Sequence, residues 1–126
     1  MGPPESFSEP RGEGGPIGIP NPGRAVVDIE KLRRYCLDSA HPRGRHKARV
    51  FLASLGLTAD HAEELREALL AAARTEDATA TERDGYGQRY VVDFSMFGPG
   101  GSATVRSSWM VRRGEDFPRL KSCYVL

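Results

Sequence analysis

The hydrophobic period of this 126-residue chain changes once, at about Thr75, and that change limits the folds open to it. Before it, apolar residues recur at helical spacing. Ile29, Leu32 and Cys36, with Tyr35 beside them, mark a first helix that Asp28 can cap and that runs to about Asp38. Pro42 then restricts His41 to extended conformations, and Gly44 permits a turn. Ala48, Phe51, Leu52 and Leu55 form the stripe of a second helix, with Gly56 where a left-handed stop belongs. Thr58 can cap a third, in which Ala62, Leu65, Leu69 and Ala72 repeat the period to about Arg74.

After Thr75 the apolar residues alternate. Ala78 to Arg83 reads as a strand, 84–87 as a turn, and Gln88 to Met96 as a second strand with Tyr90, Val92, Phe94 and Met96 on one face. The glycine-rich reversal 98–101 leads to a third strand in which Val105, Trp109 and Val111 share a side. Residues 113–116 turn the chain once more, and Pro118 opens a last strand with Leu120 and Tyr124 facing one way. Helices followed by hairpin-linked strands predict an α+β domain. Three N-terminal helices pack on one face of a four-stranded antiparallel meander.

The chain is long enough for one domain. Residues 1–24 hold six Gly and six Pro with few sizeable apolar side chains, which predicts a disordered Gly/Pro-rich tether ahead of a folded part at 25–126. Such a tether would suit the C-terminal part of a longer, exported protein, or simply be a loose terminus on a cytoplasmic one. No apolar run approaches the roughly 18 to 20 residues needed to cross a bilayer, so a soluble domain without a membrane partner is expected. Cys36 and Cys123 lie far apart in sequence, with no Cys or His at ligand spacing. They read as reduced, apolar thiols, or as one disulfide if the chain is exported.

Net charge is only +1, but it is segregated. Residues 24–58 and 85–126 are basic, whereas 59–84 are acidic. The blocks either neutralise one another across the fold or leave one basic side that can attract a phosphate backbone. If Val105, Trp109, Leu120 and Tyr124 face the helices, Arg106, Arg112, Arg119 and Lys121 project from the other face, provided no bulge intervenes. Val91, Met110 and Val125 would share that face and suit a partner protein equally well.

The densest group of reactive side chains is 41–48. His41 is the acid/base candidate, against the alternative that His41-Pro42 only starts a helix. Lys47 lies at the flank of the buried stripe, where it can border a cleft, while His46 points to solvent and His61 sits on an acidic helix. Phosphate-loop, zinc-protease and nucleophile-elbow signatures are missing, and Asp93 and Glu82 are isolated carboxylates, so neither a cofactor nor a metal is assigned. Metal-independent cleavage of RNA would need a base for the 2′-hydroxyl, cations for the phosphorane and an acid for the leaving oxygen. His41, Lys47, Arg106 and Arg119 supply those types, with Ser107 and Ser108 as hydrogen-bond donors. Trp109 could stack on a base or belong to the core.

Tyr35-x-Leu37, His41-Pro42-x-Gly44-x-x-Lys47-Ala48, Phe51, Leu55-Gly56, Tyr86-Gly87-x-x-Tyr90, Gly100-Gly101, Val105 with Trp109, and Pro118-Arg119-Leu120 together resemble a family of small bacterial domains with no assigned function. The resemblance spans about 27–125. In arrangement that family is similar, more distantly, to the ribonuclease toxin folds of the barnase, EndoU, colicin and RelE class, and to domains at the C-termini of long secreted toxins. It implies His41, Lys47, Trp109 and Arg119 as positions to test, and carries no catalytic assignment. Two functions remain open. One is a toxin-like effector that binds or cleaves RNA, with a cognate immunity or antitoxin-like protein. The other is a non-catalytic module that binds a partner through the open sheet face or helix three.

Overall fold

In the computed structural model, which describes residues 18–126, the change of period becomes a change of layer. α1 (Ile29–Lys31) is capped by Asp28, whose carboxylate accepts the Glu30 N–H at 2.9 Å. It widens at once into a π turn, Leu32–Cys36, closed by the Leu37 N–H on the Leu32 carbonyl. Regular α geometry would turn Leu37 away from Leu32. The wider turn keeps them on one side, and Leu32, Cys36 and Leu37 are all buried. α2 (Arg45–Leu55) buries Ala48, Phe51 and Leu55 and stops at Gly56, whose φ is 73°. Leu52, expected in the same stripe, is exposed at its edge. A 3-10 turn, Ala59–His61, leads into α3 (Ala62–Thr75). Thr58 caps it, and His61 Nδ1 accepts the Thr58 N–H at 2.9 Å, so this histidine closes a capping box.

Strands β1 (Ala78–Asp84), β2 (Gly87–Gly98), β3 (Gly101–Arg112) and β4 (Pro118–Val125) pair antiparallel in the order of the chain. The expected α+β meander, helices on one face, is the fold. Val92, Phe94, Met96, Val105, Trp109, Leu120 and Cys123 meet Leu32, Phe51, Leu55, Leu65 and Leu69 in one core. Trp109 is fully buried there. Its indole N–H donates to Ser107 Oγ at 2.8 Å, and Ser107 donates to the Val92 carbonyl at 2.7 Å, so every polar atom of that buried chain has a partner. The β2–β3 turn docks on the end of α2, where the Gly100 N–H donates to the Leu55 carbonyl at 2.9 Å. A Cβ at Gly98 or Gly100 would collide with that helix end, which is why glycine crowds this turn.

Three expectations change. First, β4 carries a bulge: Leu120 opposes Trp109 but Ser122 opposes Ser108, leaving Lys121 as the extra residue. Beyond it the alternation is offset by one. Cys123 turns inward, and Tyr124 joins Arg106 on the outer face instead of Leu120 on the inner one. Second, by the same shift Val125 packs against the core rather than on the open face. Third, the folded part reaches back past Ala25. Ile19 is a buried core residue, and Val26 forms a parallel bridge to Arg119 that shields the edge of β4. The remainder of the expected tether, 1–17, lies outside the described residues.

Cys36 on the π turn and Cys123 on β4 are both free and buried. Interaction with the neighbouring Cys36 thiol and burial push Cys123 well up, while the same interaction draws Cys36 down. Among the described residues no helix is long and apolar enough to cross a membrane.

Candidate nucleic-acid interface

Among the described residues no helix covers the outer face of the sheet, and most alternate residues of its strands reach solvent there. Register sets them in rows: Asp93, Arg106 and Tyr124; Val91, Ser108 and Ser122; Arg89, Met110 and Arg119. Lys121, freed from the ladder by the bulge, stands beside the last row.

In the first row Arg106 grips Asp93 through two bonds, Nε to Oδ1 and an Nη to Oδ2, each 2.9 Å. That grip holds the Asp93 carboxyl below the usual carboxylate range, against a smaller opposing effect of desolvation. Lys47 reaches this row from α2, its ammonium 4.9 Å from the centre of the Tyr124 ring. Two of the nominated cations, Lys47 and Arg106, therefore meet around Tyr124.

The other two do not join them. Arg119 sits in the row of Met110, four positions along β3 from Arg106, or about 13 Å away. It is held by both carboxylate oxygens of Glu115, at 2.9 and 3.0 Å, and lies 4.9 Å from the Phe117 ring. Glu115 is drawn below its ordinary value by Arg119 first and by Arg112 in smaller part. Among the described residues His41 bonds within its own segment. Its Nδ1 accepts the Arg43 and Gly44 N–H groups at 3.0 and 3.1 Å, and its ring meets Tyr35 edge-on, centroids 4.8 Å apart. Helix α2 has no side-chain cap at Gly44, so His41 does that work one turn early. Nδ1 is thus an acceptor, which leaves Nε2 as the ring nitrogen open to a ligand. Ser107 is buried and engaged with Trp109, while Ser108 remains on the outer face.

Residues not nominated for the site complete the picture. Asp93 was read as isolated, yet a two-residue turn at 99–100 places 93 opposite 106 by counting outward from the turn. At the far end of the face Arg112, Arg113 and Lys121 form no ion pair among the described residues, and Arg89 is shared loosely between Glu82 and Asp84 at 3.5 and 3.7 Å. Lys121 is pushed down by desolvation first and then by the positive charges of Lys31, Arg112 and Arg89. These residues, with Tyr86 and Met110, line a hollow of about 590 Å³.

A one-sided antiparallel meander backed by three helices, its bare face sorted into paired and unpaired cations, defines a class of small α+β domains. The chain belongs to the family described as Domain of unknown function (DUF6883), which matches residues 18–126. Among solved structures it is similar to a chain of the contact-dependent growth inhibition toxin–immunity protein complex from Klebsiella pneumoniae 342, at TM-score 0.62 and 17% identity, covering 80% of this chain and 99% of that one. At that identity the likeness is one of fold. No curated protein matches the chain.

Proposed function

We propose that this domain is a toxin-like effector that binds RNA on the open face of its sheet and works with a cognate immunity-type protein. The carrying observation is the cluster Arg112, Arg113 and Lys121, which has no carboxylate partner among the described residues although the full chain carries a net charge of only +1. Unpaired cations crowded on one side repel each other, and a polyanion relieves that repulsion. The Klebsiella complex joins a toxin to an immunity protein, and the shared fold supports both an effector role and a dedicated protein partner here.

Cleavage on this reading is acid–base chemistry at the 2′-hydroxyl. Lys47 and Arg106 stand at the phosphate, solvent water takes the 2′-hydroxyl proton, and His41, whose Nδ1 accepts from the backbone so that Nε2 carries the ring proton, protonates the leaving oxygen. Arg119, turned onto Glu115, serves the electrostatics of the face at a distance.

The test is total RNA incubated with the full chain in EDTA buffer, together with expression in bacteria. Binding that weakens steeply with salt, RNA breakdown abolished in His41→Ala, and growth arrest are expected. Intact and unbound RNA with harmless expression would overturn the reading. One observation favours a protein-interaction module instead: Phe97, on the same face, is 81% exposed. Such a module would tolerate His41→Ala and lose its partner on changes at Val91, Met110, Phe97 or α3.

A further inference from the structure

Two turns meet at the basic end of the sheet. The β1–β2 turn is held by the Tyr86 N–H on the Asp84 carboxylate at 2.8 Å, and the Arg113 N–H donates to the Tyr86 carbonyl at 2.8 Å, tying it to the chain leaving β3. Gly87 approaches the Val111 carbonyl so closely that no side chain fits between them. The backbone beneath Tyr86 is therefore fixed from both sides, yet its ring is 76% exposed. The ring borders the hollow whose floor holds Met110, only 4% exposed, and whose other walls are Arg89, Arg112, Arg113 and Lys121.

We infer that this hollow is a nucleotide subsite for single-stranded RNA, in which an unstacked base lies on the Tyr86 ring and the flanking phosphates contact Arg112, Arg113 and Lys121. Each part of the chemistry has its own warrant. A solvent-facing aromatic on a fixed stretch of backbone offers a stacking plane. The apolar Met110 beside it excludes water from the ribose side. Among the described residues the cations have no carboxylate within ion-pair distance, and Lys121 already feels the repulsion of Arg112 and Arg89. A duplex cannot use the platform, because its bases are stacked on one another. The single strand is therefore the occupant that fits both ring and charge. This subsite rests on the RNA reading above and refines it.

The experiment is fluorescence anisotropy of a labelled ten-residue oligouridylate, and of a duplex of equal length, with the full chain and its variants. Tyr86→Ala is expected to weaken single-strand binding about tenfold while Tyr86→Phe preserves it. Arg112→Gln, Arg113→Gln and Lys121→Gln should each flatten the slope of log affinity against log salt by about 0.7. Melting curves of the variants control for folding. If the unaltered chain binds the oligonucleotide but Tyr86→Ala binds it equally well, or the duplex binds as tightly, the subsite falls while the RNA reading stands. If the unaltered chain binds neither RNA, the RNA reading falls and takes the subsite with it.

Discussion

The two faces of this sheet are built from alternate residues of the same strands, yet they treat polar groups in opposite ways. On the covered face the buried polar side chains are supplied with partners: Trp109 donates to Ser107, and Ser107 to the Val92 carbonyl. On the bare face water can solvate whatever is left over. Arg106 and Arg119 take carboxylates, while Arg112, Arg113 and Lys121 take none among the described residues. Burial under the helices therefore favours pairing, and exposure permits an unspent charge that a ligand can use, with Arg89 Nε the buried atom of the outer face that finds no hydrogen-bond partner among the described residues.

The contrast can be broken or sharpened by substitution. Trp109→Ala empties the largest buried volume and should cost about 3–5 kcal/mol in urea unfolding followed by circular dichroism. A loss under 1 kcal/mol would mean that the core does not depend on it. Ser107→Ala leaves the buried indole N–H without an acceptor and should cost about 1–3 kcal/mol. Full stability in that variant would show the network to be dispensable. His41→Ala removes the acceptor of two N–H groups ahead of α2, and about 1 kcal/mol is expected by analogy with lost caps. An unchanged midpoint there would contradict its capping role.

The exposed pair should show its effect in pH rather than in size. Asp93 has a folded-state pKa below its unfolded one, so its pair with Arg106 contributes stability above the unfolded carboxylate pKa. That contribution fades as pH falls through the depressed value. Asp93→Asn should therefore be slightly less stable than the parent at pH 7 and equal to it in strong acid; a gap that widened on acidification would reverse the assignment. Last, Arg112→Gln and Arg113→Gln should change stability by no more than about 0.5 kcal/mol and alter only ligand binding. A marked fall in their melting temperature would mean that these cations hold the turns together.

Much of the fold was legible in the chain. The caps Asp28 and Thr58, the stop at Gly56, the three helices and four strands follow from local chemistry, because period, capping and turn residues act over a few positions. The site was only partly legible. Lys47 and Arg106 do meet, at Tyr124, but Tyr124 was expected on the opposite face, since one bulge at Lys121 offsets all that follows. Asp93 could have been paired with Arg106 by counting from the turn. Nothing local announces that His41 would be engaged by its own loop, or that Glu115 would hold Arg119.

The chain by itself determined which stretches are helix and which are strand, and that one side of the sheet would be apolar, since these depend on neighbours three or four positions away. Only the tertiary structure decided which charges remain free. Pairing depends on register, bulges and turn-to-turn contacts that bring distant residues within about 3 Å, and a shift of one residue moves a side chain to the other face of the sheet.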